Sequence, residues 1–370
     1  MGKRASGASG TRRVVARRRS GVQRFVVIRV SMKLVTFEAE GHEHGGILEG
    51  DRVIELGHAF AWFERENGRA SDDAHVHARY GRGVLGFVEH AHVARPAADA
   101  VVDALRTTHA PASLARPLGG VTLLSPIPRP PSMRDGYAFR QHVETARKNR
   151  GLEMIPEFDQ FPVFYFTNHQ AVIGPGDLRV QRRHLERLDF ELEAAIVVGA
   201  RGRNVPASKA DSLVFGLTIM NDFSARVLQM DEMKLSLGPA KGKDFATGLG
   251  PWLVTIDELT SHAKTTPQGT QWDLEMRAFV NGIQVSRGNV KDMNWTFAQI
   301  LERASYGVTL HPGDVIGSGT CGTGCFLELN GSKITKDQWL QPGDVVALEI
   351  DGLGRLENRV VEVGEEMSLG

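Results

Sequence analysis

The sequence predicts a mixed α+β fold rich in strand, closer to a β-roll or sandwich than to a doubly wound parallel sheet. Three observations carry this. Short apolar runs with strand-like composition dominate the chain after residue 133. Helical segments between them are few, so the strand–helix alternation of a parallel sheet is missing. No unit repeats at 20–50 residues, which sets aside solenoids and propellers.

Residues 1–31 form a basic extension, read as disordered or non-native, with "MKLVTF" at Met32 as an alternative start. The Met1-Gly2 pair with Ser6 also fits a myristoylation pattern. Residues 32–115 read as a small N-terminal domain containing β-structure, with strands turning at Gly50-Asp51 and a helix near Val84–His92. Residues 116–132 include "SPIPRPPS", where prolines block both helix and ladder bonding, and are expected to be a linker. Residues 133–364 read as the larger, C-terminal domain. Its strand-like runs are "FPVFYF", "FELEAAIVVGA", "VFGLTIMND", "PWLVTI", "MRAFVNGIQV", "GDVIGSG", "FLELN" and "GDVVALEI". Helices are expected near Tyr137–Lys148, Phe223–Glu232 and Trp295–Ala304.

Composition narrows the function. Nine of the 44 basic residues and none of the 44 acidic ones lie in 1–31, so the remainder carries a net charge of −9. An acidic folded part argues against nucleic-acid binding. No run approaches the roughly 20 apolar residues of a membrane span. The two cysteines, Cys321 and Cys325, lack zinc-site spacing and read as reduced packing residues of a cytoplasmic protein.

The chemistry points to carboxylates. In "DFELEAAIVVGA", strand alternation puts Asp189, Glu191 and Glu193 on one face of a run that continues into apolar sequence. Buried carboxylates need a counter-charge or a metal. Asp222 ends the next strand and Asp135 follows the Pro-rich segment; each alone reads equally as a cap or turn residue. Together the four acids Asp135, Glu191, Glu193 and Asp222 make an all-oxygen set suited to Mg²⁺, with Mn²⁺ or Ca²⁺ as alternatives. The His-x-His pairs His42/His44, His75/His77 and His90/His92 have no such accompaniment.

The ordered set of motifs resembles the fumarylacetoacetate hydrolase superfamily. It comprises "DGYAFRQH" at 135–142, Glu191-Leu-Glu193, "NDFSAR" at 221–226 with Gln229, "GKDFAT" at 242–247 before Pro251-Trp252, "GDVIGSGT" ending at Thr320, and "FLEL" at 326–329. The resemblance covers about residues 130–360. It implies that family's β-sandwich roll, metal ligation by the four carboxylates, and a catalytic His142 oriented by Glu328. It implies that Arg226, Gln229 and Lys243 hold the substrate and its developing negative charge, with Tyr137, Tyr165 and Thr320 as substrate contacts. Lys243 and Thr247 also match a place where the family holds a further ion.

The expected activity is metal-dependent hydrolysis of a C–C bond in a small acylpyruvate or diketo acid, in a homodimer. A keto-acid decarboxylase, a tautomerase or isomerase, or a hydratase would use the same platform. A non-catalytic binding protein is the rival from another class. The sequence departs from the family at Gly136, where an aromatic is usual, and at Ala246, where glycine is frequent. The turn "CGTGCFL" between Thr320 and Glu328 is shorter than in the founding hydrolase. A lid-like segment, "RKNRGLEMIPEFDQF", offers Arg147 and Arg150 to a substrate carboxylate.

Overall fold

A computed structural model describes residues 31–68, 82–107 and 111–364. The basic residues 1–30 and the His75/His77 pair lie outside the described residues.

The central strand is Leu192–Val198, every residue of which is buried. It pairs antiparallel with Val214–Asp222 on one side and with Val315–Gly317 on the other. Such near-continuous apolar runs belong to strands covered on both faces. The two covers differ. Leu192, Ala194, Ile196 and Val198 pack against Met276, Leu348, Ile350 and Leu356 of a second, five-stranded sheet. Ala195 and Val197 pack with Val84, Phe87, Ala98 and Val101 of the N-terminal helices. One sheet face therefore meets another sheet and the opposite face meets helices, giving the β-rich α+β sandwich expected.

The N-terminal residues extend the same sheet. Strand Lys33–Ala39 pairs with Thr247–Thr255, and with His42–Glu49 on its far side. The Pro-rich segment is stitched on as well. Ala115–Pro117 pairs with Arg52–Glu55, and Thr122–Leu123 with Lys33–Ala39. The Thr36 hydroxyl then donates to the Pro126 carbonyl. In the second sheet, the hairpin between Glu275–Val280 and Ile283–Asn289 turns through Asn281-Gly282, both at positive φ. That is the tight turn an Asn-Gly pair favours.

Helices occupy Arg140–Lys148, Arg226–Met233 and Phe297–Ser305, close to their expected places. The last carries a capping box between Thr296 and Gln299. Two local differences matter for function. "FLELN" is the start of a helix, Phe326–Gly331, and not a strand. Its apolar–polar alternation is too short to separate the two periods, and the Asp189 carboxylate decides by accepting the backbone N–H groups of Phe326 and Leu327. The run from Asp189 to Ala200 is also not one strand. Leu188–Asp189 pairs with Ser224–Ala225, and the central strand begins only at Leu192. Glu191 lies in the break, where its N–H donates to the Asn221 side chain.

Among the described residues, no helix is long and apolar enough to cross a membrane. Cys321 and Cys325 are both free thiols, buried.

Candidate metal centre and active site

Each of the four carboxylates comes from a different backbone position around the end of the central strand. Glu193 faces the side opposite the second sheet, in register with Met220. Asp135 sits on Met133–Gly136, which runs parallel to Val315–Gly317 with Asp135 opposite Gly317. Asp222 closes the strand Val214–Asp222, and Glu191 enters from the break. Ligand oxygens of Asp135, Glu191, Glu193 and Asp222 all lie within 4.8 Å of one another, and all four residues are buried.

Gly317 makes this convergence feasible. A Cβ at that position would stand 2.4 Å from Asp135 Oδ1 and 3.0 Å from Glu193 Oε2. Gly319 adds a donor, its N–H lying 3.1 Å from Asp135 Oδ1 and 3.2 Å from Glu193 Oε2. Sequence reasoning passed over both; the signal was the Gly-Ser-Gly at the end of "GDVIGSG". Gly317→Ala is expected to push Asp135 and Glu193 apart and to abolish divalent-ion binding while the fold persists. Titration with Mn²⁺, alongside far-UV circular dichroism, checks this, and wild-type affinity in the variant would refute it.

The electrostatics divide the cluster. Burial, reinforced by the charge of Asp222, pushes the Asp135 carboxyl up to about 7. Burial and the neighbouring Asp135 hold Glu193 well above the usual carboxylate range. Burial also raises Asp222, against the pull of Lys243. Glu191 goes the other way. Burial opposes its charge, but the Lys243 ammonium and Arg226 guanidinium outweigh it and hold the carboxyl at about 2. Lys243 donates to Glu191 Oε2 at 2.5 Å and to Asp222 Oδ2 at 2.6 Å. Burial works against its charge too, yet these two carboxylates keep it protonated, above the ordinary lysine value.

These residues fit a hard divalent cation. The donor set is all oxygen. Asp222 Oδ1 is buried with no hydrogen-bond partner, and such an orphan is costly unless something binds it. Without a cation, Asp135 and Glu193 resist ionisation together; binding one releases protons from such sites.

The other predicted residues assemble around this cluster. His142, on the helix Arg140–Lys148, places Nδ1 at 2.7 Å from Glu328 Oε2, and both residues are buried. The Tyr137 ring meets His142 edge-on at 5.8 Å between centroids, and Phe158 from the lid-like segment also meets it edge-on, at 6.4 Å. Arg226 donates to Glu191 Oε1 at 2.8 Å and to Gln229 Oε1 at 3.0 Å. The Tyr165 hydroxyl donates to Asp222. The Thr320 hydroxyl lies 3.4 Å from Glu193 Oε1. Thr247 is buried at the start of the strand that ends at Thr255, paired with Asp222. A cavity of about 380 Å³ opens beside Tyr165 and Lys243, lined also by Thr167, His169 and Pro239.

Arg147 is tied to the Glu153 carbonyl. Arg150 is exposed; burial raises the Tyr137 hydroxyl above its ordinary value, and the Arg150 charge pulls the other way. Asp189 turns away from the carboxylate cluster toward Arg226. Cys325, read from sequence as a packing residue, lies beside His142 and Glu328. Burial pushes its thiol far up, so it is held protonated there. Of the histidine pairs, His44 is bound to Glu55 and His90 to the Gly86 carbonyl. Among the described residues neither pair belongs to a group able to hold a metal.

The family described as fumarylacetoacetate (FAA) hydrolase C-terminal matches residues 132–361. Bovine (Bos taurus) fumarylacetoacetase is 37% identical over 244 residues, covering 53% of this chain and 58% of that protein. Oxaloacetate tautomerase YisK of Bacillus subtilis is 30% identical over 249 residues, covering 66% of this chain and 74% of that protein. The structure of fumarylacetoacetate hydrolase from Exiguobacterium antarcticum superposes with a TM-score of 0.63 at 25% identity, covering 90% of this chain and all of that one.

Proposed function

The chain belongs to the fumarylacetoacetate hydrolase superfamily, and on that premise we propose that it is a metal-dependent hydrolase cleaving the C–C bond of a small acylpyruvate or related diketo acid. The observation that carries this reading is the buried contact between His142 Nδ1 and Glu328 Oε2. Water attack on the acyl carbonyl needs a general base, and a histidine oriented by a buried carboxylate supplies one; a tautomerase would use the same pair to move a proton at carbon, so the cleavage assay below decides between the two.

Asp135, Glu191, Glu193 and Asp222 would hold the ion, taken as Mg²⁺ or Mn²⁺. When bound, it supplies Lewis-acid stabilisation of negative charge on a keto oxygen. Everything else is done by side chains. Glu328 accepts the Nδ1–H of His142, which fixes the tautomer and leaves Nε2 free to take a proton from water. The activated water attacks the acyl carbonyl. Arg226 and Lys243, both buried and held cationic by their carboxylate partners, provide fixed positive charge where the leaving carbanion delocalises. The proton on His142 then returns to that carbon, releasing a carboxylate and pyruvate. Gln229 fixes the Arg226 fork, and Tyr137 covers the imidazole.

The substrate panel that tests the reading is fumarylacetoacetate, fumarylpyruvate and simple acylpyruvates with Mg²⁺, then with the metal chelated. Release of pyruvate or acetoacetate that chelation stops is the expected result. Metal-dependent enol–keto exchange with no cleavage of any of them would move the assignment to the tautomerase reading, which the similarity to YisK keeps in view. The assembly proposed with this activity is a homodimer, which sedimentation equilibrium tests.

A further inference from the structure

Asp189 is a fully buried carboxylate that the reaction itself does not use. It lies two residues before Glu191 but engages other groups. Oδ1 accepts the N–H of Phe190 at 2.9 Å and of Phe326 at 2.7 Å. Oδ2 accepts the N–H of Leu327 at 3.0 Å and Arg226 Nε at 2.9 Å. The same guanidinium reaches Glu191 with Nη2. The next residue of the short helix after Leu327 is Glu328, which holds His142. The ring of Phe190 packs edge-on against that of Phe326 at 5.1 Å, so the joint is closed to water on its apolar side.

We propose that Asp189 is a positioning residue whose single carboxylate sets the Arg226 guanidinium and the Glu328–His142 pair at a fixed separation. Three chain segments remote in sequence meet at its two oxygens: the entry to the central strand, the helix Arg226–Met233 and the helix Phe326–Gly331. A buried carboxylate with four donors has no spare acceptor capacity and little freedom to move. Shifting it would shift the acid–base pair relative to the cationic group, and sub-ångström placement of such groups governs rate.

The spectroscopic arm needs no substrate. In protein labelled with ¹⁵N-histidine and supplied with Mg²⁺, the Nδ1–H of His142, hydrogen-bonded to a buried carboxylate, gives a downfield proton resonance. Its disappearance in His142→Asn identifies it among the 13 histidines. Asp189→Asn turns an amide NH₂ or loses an acceptor toward Leu327 and Arg226, so the resonance is expected to move upfield or broaden. An unchanged resonance overturns the proposal. If Asp189→Asn does not fold, Asp189→Glu keeps the charge for Arg226 but displaces it by one methylene, and the same shift is expected.

The kinetic arm rests on the hydrolase reading. There, Asp189→Asn is expected to lower kcat by about 100-fold with KM within about threefold of wild type. It should cost less in a Glu328→Gln background than in wild type, because part of its effect acts through the Glu328–His142 pair and only the part through Arg226 remains. Full restoration of kcat and of the resonance by Asp189→Glu would mean that only charge is needed, and overturns positioning. A shifted resonance in an enzyme that cleaves no member of the panel would refute the hydrolase reading and leave this inference standing.

Discussion

Replacing His142 with asparagine is expected to lower kcat by about 10²–10⁴-fold, the range a positioned general base contributes, while Mn²⁺ binding stays as in wild type. Asparagine is the informative substitution. Its side-chain N–H can still donate to Glu328, so the buried carboxylate keeps a partner and the cost of leaving it unpaired, roughly 1–3 kcal/mol, is avoided. What is removed is the second ring nitrogen and its ability to accept a proton. The four metal carboxylates are untouched, and the core residue Val143 next in the helix keeps its place. Steady-state kinetics on the cleaved substrate, with Mn²⁺ titration in parallel, separates the two roles. A variant that retains wild-type kcat would remove His142 from the chemistry and the hydrolytic assignment with it.

Glu193→Gln is expected to have the second largest effect, and with opposite signs for two observables. Glu193 is fully buried among three other carboxylates, and its charge is strongly disfavoured. At neutral pH, above the ordinary pKa of an exposed glutamate, a group raised in this way makes the folded state less stable than it would be with a neutral isostere. The glutamine variant should therefore melt no lower than wild type when both are stripped of metal. With metal the order reverses. Wild type at an ion concentration about 100 times Kd gains about 2.7 kcal/mol of stability. The variant, lacking a direct ligand, should lose more than the roughly 10–100-fold in affinity that an outer-shell change costs, and with it that thermal shift. Differential scanning calorimetry with chelator and with Mn²⁺ reads both. Equal metal-induced shifts in the two proteins would exclude Glu193 as a ligand.

The sequence made the strands and the metal face readable for a physical reason. Leu192–Val198 and Val214–Asp222 are buried on both faces, so they are apolar enough to stand out, and carboxylates at their ends are conspicuous. Alternation along one strand correctly separates Glu193 from Leu192 and Ala194, which point into the sandwich. It fails one turn earlier. Asp189 and Glu191 are not on a continuous strand, because the backbone leaves the sheet and the Leu192 N–H bonds to Gly324 instead. Glu328 was legible only through the family resemblance. Its helix is nucleated by Asp189, more than a hundred residues away, and no local window contains that partner. Gly317 and Gly319 carry no chemistry of their own, so their contribution, space and a donor, shows only when Asp135 and Glu193 are seen against them. The N-terminal helix Leu56–Glu66 begins without a side-chain cap, which removes the usual start signal.

The most direct test of the whole account follows oxygen. An acylpyruvate is turned over by the Mg²⁺-loaded enzyme in H₂¹⁸O and the products are analysed by mass spectrometry. C–C hydrolysis inserts one solvent oxygen into the carboxylate derived from the acyl group and releases unlabelled pyruvate, apart from slow ketone exchange measured in an enzyme-free control. Labelled carboxylate, formed about 10²–10⁴-fold more slowly by His142→Asn, is the predicted result. Carbon dioxide release or enol–keto exchange, with the carbon skeleton otherwise intact and no labelled carboxylate, would contradict it.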